Sequence, residues 1–145
     1  MDRFFREIQL RWSDFDPNYH VRHSSYYDWG TIVRVDFFES LGMPLEKMIS
    51  EGIGPILLRE ECLFRKEVKH GDKIIVELEL LKAKRDFSRW TIQHPILKNG
   101  DVSAALITID GGFIDHKTRK LTVPSNPIIE AFHQMPKSSA FTLMD

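Results

Sequence analysis

From Ser25 to Leu41 the sequence places Tyr26, Trp29, Val33, Phe37 and Leu41 at helical spacing. No other stretch constrains the fold as strongly. Gly42 and Pro44 end the pattern, so the spacing predicts a helix of about sixteen residues. Its aromatic load is too great for a helix lying on an outer surface. A sheet wrapped around it would bury that load. Ser25 followed by Asp28 reads as a capping box at its start, and Leu45 to Ser50 as a further short helical turn before Gly52.

The flanking segments supply such a sheet. Glu7 to Trp12 alternates, with Ile8, Leu10 and Trp12 on one side and charged or polar residues on the other, as a half-buried strand does. After Pro55 the pattern predicts strands over Ile56–Val68, Lys73–Ala83, Ser88–Leu97 and Val102–Ile114. His70-Gly71-Asp72, Lys84-Arg85-Asp86 and Asn99-Gly100 separate them, the last as a tight hairpin. Gly111-Gly112 suggests a bulge or bend. A short return strand at Leu121–Val123 and a terminal helix from Ser125 or Asn126 to about Gln134 follow. The expected class is α+β, one curved antiparallel sheet around a long central helix, in a single domain over residues 1–136. Residues 137–145 are expected to form a mobile tail.

A chain of 145 residues, 42% hydrophobic and 28% charged, is long enough for one substantial core. Twenty basic and 21 acidic residues leave a net charge of -1, which gives no bulk field for nucleic acid or an anionic membrane. Cys62 is the only cysteine. It offers neither an intramolecular disulfide nor a cysteine zinc site, and it fits a reducing, cytoplasmic setting. The charged opening Met1 to Glu7 is unlike a signal peptide, and no run reaches transmembrane length. The expected protein is soluble, with no metal and no bound cofactor.

Between strand and helix, Ser13 to Ser25 loses periodicity and fills with Asp, Pro, Asn and His. The segment Arg11-Trp12-Ser13-Asp14-Phe15-Asp16-Pro17-Asn18-Tyr19-His20-Val21-Arg22-His23 resembles the active-site loop of the 4-hydroxybenzoyl-CoA thioesterase family. It is also similar to that of plant acyl-ACP thioesterases. The resemblance implies a hot-dog fold and makes Asp16, the second aspartate of the Asp-x-Asp pair, the catalytic carboxylate. Asn18 and His20 match the Asn and His that follow it in the acyl-ACP group, and His23 matches a histidine of one bacterial branch. In a second segment, Phe64 to Asp72, Glu67 aligns with a glutamate implicated in catalysis in the acyl-ACP enzymes. The cysteine after that glutamate is Val68 here, so a thiol nucleophile at that place is excluded. The chain departs from the family at Arg22 and His23, where two asparagines are common, and at Pro17 and Asn18, where several members have glycine. The resemblance further implies a homodimer or homotetramer with sites at the subunit interface.

The chemistry also follows from the residues. Thioester hydrolysis needs a base or nucleophile at the carbonyl, donors for the developing oxyanion, and a hold on the substrate. Asp16 would take a proton from water or attack the carbonyl itself. Asn18 and His20 each offer a donor and an acceptor to orient it. The start of the helix near Ser24 to Tyr26 offers unpaired N–H groups for an oxyanion. Asp16-Pro17-Asn18 is equally an ordinary turn sequence, Asp14 reads as structural, and Glu67 reads as a surface strand residue outside the acyl-ACP comparison. Tyr26 is a candidate to line an acyl channel, and Arg85 and Arg89 are candidates for the phosphates of a carrier arm. The expected substrate is a small acyl thioester, with coenzyme A or acyl carrier protein as part of it. Two other functions fit the fold. A hydratase or dehydratase would show Asp-x-Asn-Pro-x-His, whereas the Asp-to-His spacing here is one shorter. A non-catalytic acyl-CoA-binding protein would keep its ligand intact.

Overall fold

The computed structural model describes residues 2–144, and its core is one eight-stranded sheet curled around one long helix. The chain forms β1 (Phe5–Ile8), a 3-10 turn (Trp12–Asp14), α1 (His23–Ser40), α2 (Leu45–Ser50) and β2 (Ile53–Phe64). It continues through β3 (Ile74–Glu77), β4 (Glu79–Lys84), β5 (Arg89–Lys98) and β6 (Val102–Asp115). β7 (Leu121–Thr122), α3 (Asn126–Gln134) and β8 (Lys137–Met144) complete it. The α+β hot-dog arrangement expected from the periodicity is the one observed.

Antiparallel β2, β6 and β5 make the middle and one edge of the sheet. On the other side of β5 lie both β3 and β4. The expected single strand Lys73–Ala83 is broken at Leu78, whose side chain is fully buried and whose N–H donates to the Phe4 carbonyl. Burial of Leu78 lets the two halves take different outer neighbours: β3 pairs antiparallel with β1, and β4 pairs in parallel with β8. That pairing corrects the expected tail. Lys137–Met144 is ordered as an edge strand because β4 would otherwise present its own unpaired backbone.

α1 starts two residues before Ser25, with Arg22 at its N-cap. Ser25 therefore does not cap it; its hydroxyl donates to Asp14 Oδ1 at 3.0 Å instead. Tyr26, Trp29, Gly30, Val33 and Phe37 form the buried face, and Ile74, Val76, Leu80, Ile92, Ile96, Ile107 and Ile109 of the sheet meet it in one core. The expected bulge at Gly111-Gly112 is not in β6, which stays in register with β5 there. The irregularity is on β2, where Leu58 is the extra residue between the pairs Leu57–Gly111 and Arg59–Asp110. Gly111 is glycine because a Cβ would overlap the Trp90 indole. The Asn99-Gly100 hairpin has positive φ at both residues, as a tight two-residue connection requires. Among the described residues no helix is long and apolar enough to cross a membrane.

Candidate active site

Phe15 and Val21 pair across an isolated antiparallel bridge and close residues 16–20 into a tight turn. The Asp16 N–H donates to the His20 carbonyl at 2.8 Å, and the Tyr19 N–H to the Asp16 carbonyl at 3.1 Å. Asp16 Oδ1 accepts the N–H of Asn18 at 2.8 Å and of His20 at 3.1 Å. This is an Asx turn: Asp satisfies backbone donors two and four residues on, Pro17 fixes its own φ, and Tyr19 takes a positive φ of 61°. The sequence suggested an irregular run leading into the helix; the structure has a hairpin tip. Asp16 Oδ2 has no hydrogen-bond partner among the described residues, so one edge of the carboxylate is unused by the turn.

Asp14 has the opposite environment. It is fully buried and accepts the Arg11 N–H at 2.8 Å, the Arg11 guanidinium at 3.2 Å and the Ser25 hydroxyl. Burial alone would raise its carboxyl, but these bonds together hold it below the ordinary carboxylate value. The Arg22 N–H also donates to the Asp14 carbonyl at 2.7 Å. Asp14 thus fastens the turn to the first turn of α1, the structural role its sequence context indicated. His23 is the first residue of α1 and is exposed. The His23 and Ser24 N–H groups find no acceptor among the described residues, whereas Ser25 N–H donates to the Arg22 carbonyl.

The turn is stitched to the segment beyond β2. The Val21 N–H donates to the Val68 carbonyl at 3.2 Å, and His20 bridges Lys69. This brings His20 Nε2 to 2.6 Å from Glu67 Oε2, while Lys69 Nζ lies 3.0 Å from Glu67 Oε1. Lys98 Nζ donates to the Glu67 carbonyl at 2.7 Å. The Lys69 hydrogen bond, aided by the charges of Lys69, His20 and Lys98, lowers the Glu67 carboxyl. Glu67 is therefore ionised and a weak base, better suited to hold His20 than to take a proton. An N–H on His20 Nε2 facing this carboxylate leaves Nδ1 as an acceptor in the neutral ring.

His20, Tyr26, Phe64, Arg65 and Glu67 border a pocket of about 280 Å³ beside the turn. Tyr26 is almost fully buried, packs edge-on against Phe64 with ring centroids 5.0 Å apart, and is pushed up to about 12 by burial. Its phenol is neutral, a donor rather than a base. Asn18 is exposed at the turn tip. Arg85 lies in the turn after β4, and Arg89 opens β5 opposite Gly112. Arg65 and Lys66, next to Glu67, bond to Ala104; the rise along β6 from Ala104 to Gly112 is about 26 Å. Within one chain, then, His20, Glu67 and Tyr26 line one pocket, Asp16 sits in the turn that carries His20 without lining it, and Arg85 and Arg89 lie apart.

Sequence reasoning missed Lys69 and Lys98, which hold Glu67, and a buried pair farther along α1. His94 Nδ1 lies 2.8 Å from the Glu77 carbonyl and Nε2 lies 2.9 Å from Arg34 Nη1. The carbonyl accepts only an N–H, so Nδ1 carries the proton and Nε2 accepts from Arg34. Full burial, and then the Arg34 charge, pull His94 down to about 3. The available signal was the alternation Trp90, Ile92, His94, Ile96 on β5, which turns His94 inward with the apolar residues. Arg34 also lines a mainly apolar cavity of about 250 Å³ with Phe38, Met48, Trp90, Phe113 and Phe132. That cavity lies roughly 12–22 Å along α1 from His23, toward the other end of the sheet.

Known proteins share this architecture. A protein of Aquifex aeolicus named "Putative esterase" is 28% identical over 88 residues, which are 61% of this chain and 66%, just under two thirds, of that relative. The crystal structure of a 1,4-dihydroxy-2-naphthoyl-CoA thioesterase from Synechocystis superposes with a TM-score of 0.82 at 19% identity, covering 91% of this chain and 96% of that one. A Staphylococcus aureus protein in complex with CoA superposes with a TM-score of 0.82 at 18% identity, covering 95% of this chain and 89% of that one. The model of the family described as "Thioesterase-like superfamily" matches residues 10–132, which take in the Asp16 turn, α1, the strands that wrap it and most of α3, and the chain belongs to that superfamily.

Proposed function

We propose that this protein hydrolyses an acyl-CoA thioester to free acid and thiol, with Asp16 at the reacting carbonyl. The observation that carries the reading is the meeting of two distant segments. The Asp16 turn and the Glu67 segment are joined by backbone and side-chain bonds at one pocket. The family match supports hydrolysis of a thioester. The CoA-bound S. aureus neighbour and the naphthoyl-CoA thioesterase neighbour support coenzyme A as the carrier; acyl carrier protein is the second carrier to be tested.

Asp16 Oδ1 holds the turn, so Oδ2 is the reacting oxygen. As a general base it takes a proton from water. The hydroxide adds to the carbonyl carbon, the C–S bond breaks, and the thiolate leaves with that proton. As a nucleophile it forms a mixed anhydride, expels the thiolate, and is freed by water. The His23 and Ser24 N–H groups at the positive end of α1 are the candidate donors to the oxyanion. His20, held by Glu67, orients water through Nδ1.

We also infer a homodimer formed along β2, or a tetramer made from two such dimers. β2 pairs with β6 on one side only, and Leu57, Leu58, Leu63 and Phe64 are exposed along it. A long apolar edge of this kind needs a cover. A two-fold axis at this edge places one subunit's Pro55 and Leu57, at the apolar cavity, beside the partner's Phe64–Glu67 end. In such a dimer Arg85 and Arg89 are the candidates to hold the carrier phosphates.

A panel of aliphatic and aromatic acyl-CoAs with one acyl-ACP, followed for thiol release, tests the reading. Stoichiometric thiol and free acid are expected. A hydrated acyl-CoA product would identify a hydratase, and recovery of every substrate intact would identify a binding protein.

A further inference from the structure

The cavity between α1, α2 and the sheet has one buried donor without a partner among the described residues, and a guanidinium on the same wall. Its lining is apolar apart from Thr31 and Arg34. Arg34 engages His94 through Nη1 at 2.9 Å and Thr31 Oγ1 through Nη2 at 3.1 Å. A guanidinium has five N–H groups; among the described residues no carboxylate lies within 4.0 Å of this one, and the Glu60 carboxylate, farther off, favours its charge. Burial lowers Arg34 only to about 10, so it is charged at neutral pH. Trp90 borders the same cavity, is 3% exposed, and its indole N–H has no hydrogen-bond partner among the described residues. The buried Trp90 donor is costly to leave unpaired, and with the half-buried guanidinium on the same wall it suits the space to something with acceptor oxygens.

We propose that this cavity is a specificity pocket for acyl groups that carry an oxygen acceptor, a ring hydroxyl or a carboxylate, at the end remote from the thioester, read by Arg34 and Trp90. The inference rests on the thioester reading and the β2 dimer proposed above, since the cavity lies too far from the Asp16 turn of its own chain, and it names the substrate class. Size agrees with it. A cavity of about 150 Å³ takes up benzene, so one of about 250 Å³ holds a substituted ring or a medium acyl chain. The walls Phe38, Phe113 and Phe132 suit a flat or extended apolar body. His94 holds the guanidinium in position without neutralising it, because its Nε2 is an acceptor with no charge. Gly30 belongs to the same device: a Cβ there would lie 3.1 Å from His94 Cδ2 and 3.2 Å from Arg34 Nη1, crowding both. Arg34 and Trp90 are positioning residues in this scheme, since neither reaches the reacting carbonyl.

The test uses matched pairs that differ only in the remote oxygen: hexanoyl-CoA against adipoyl-CoA, and benzoyl-CoA against a hydroxybenzoyl-CoA. Wild-type protein is expected to favour the acceptor-bearing member of at least one pair by about tenfold or more in kcat/KM, expressed mainly in KM. Trp90→Phe, which keeps the ring and removes the N–H, and Arg34→Met are each expected to shrink that ratio by several-fold, with Arg34→Lys restoring part of it. Because Arg34→Met leaves His94 Nε2 unpaired, its melting temperature is read alongside, and Trp90→Phe stands as the independent variant. Calorimetric binding of adipate, hexanoate, benzoate and hydroxybenzoate to the wild-type protein separates the two levels of the argument. Selective binding of the oxygenated acids without turnover of any thioester supports the pocket and removes the hydrolase. Turnover with no preference within either pair, or a preference unchanged in both Trp90→Phe and Arg34→Met, overturns the pocket.

Discussion

In the mechanism proposed for it, Asp16 serves a turn and a reaction together, with Oδ1 held by the turn and Oδ2 left for the thioester. Asp16→Asn keeps the Oδ1 acceptor for the Asn18 and His20 N–H groups and removes the basic oxygen. Turnover should fall by about a hundredfold to ten-thousandfold, with little change in melting temperature. Asn18→Ala and His20→Ala should lose less. Glu67→Gln, read in the same assay, distinguishes an acyl-ACP-like site, with a large loss, from one centred on Asp16, with rates near normal. Wild-type kcat/KM in Asp16→Asn on a good thioester would remove Asp16 from the chemistry. His94 gives a prediction in pH. Its folded value near 3 lies below the ordinary 6.5, so the unfolded chain binds a proton between these values and the native protein does not. Stability is therefore full above about pH 6.5 and declines as pH falls toward 3, by a few kcal/mol in order of magnitude. Carboxylates held low, such as Asp14 and Asp72, lose their contribution nearer pH 4 and below. Urea midpoints at pH 7.5, 6 and 5 should fall in sequence, and His94→Gln should flatten that slope. An unchanged slope in His94→Gln would assign the effect elsewhere.

At the scale of elements, periodicity was informative where one face of an element is buried and silent where a neighbour decides the structure. α1 was legible because Tyr26, Trp29, Val33 and Phe37 repeat along one face, and β5 and β6 because their inward residues alternate. The break at Leu78 was not, since apolar alternation runs straight through Ile74, Val76, Leu78 and Leu80; only the change of partner from β1 to β8 shows it. Lys137–Met144 reads as a polar tail because an edge strand has one exposed face and its pairing is through backbone. Asp16, His20 and Glu67, the proposed site residues, could be singled out from residue type and order, and the structure joins their segments; Lys69 and Lys98 depend on the packing of distant turns. Gly111 carries the clearest element-scale test. Gly111→Ala forces a methyl into the Trp90 indole, and overpacking of this kind costs about 1–3 kcal/mol. The urea midpoint should fall accordingly, and pairing it with Trp90→Leu should recover part of the loss; additivity of the two changes would contradict a direct clash.

For the whole molecule, the position of the apolar cavity makes assembly a functional matter. Within one chain the cavity and the Asp16 turn sit at opposite ends of α1, too far apart for one acyl group to occupy both. In the proposed dimer, a two-fold axis along the free β2 edge would reverse the partner strand and bring the cavity of one subunit toward the Asp16 turn of the other. Such an interface is isologous, so each dimer would hold two equivalent sites. Charge at the edge should then cost activity as well as assembly. Leu58→Lys combined with Leu63→Lys places two cations on exposed positions of β2, where a two-fold axis repeats them in the partner and like charges repel across the strand pair. Light scattering at micromolar concentration is expected to show a dimer or tetramer for the wild type and a monomer for the double variant. Circular dichroism should stay native, because neither side chain belongs to the core. Thiol release should fall with the dimer fraction as the protein is diluted. A monomeric wild type with full activity, or a monomeric variant that keeps it, would show that each chain completes its own site and that the cavity is not shared across β2.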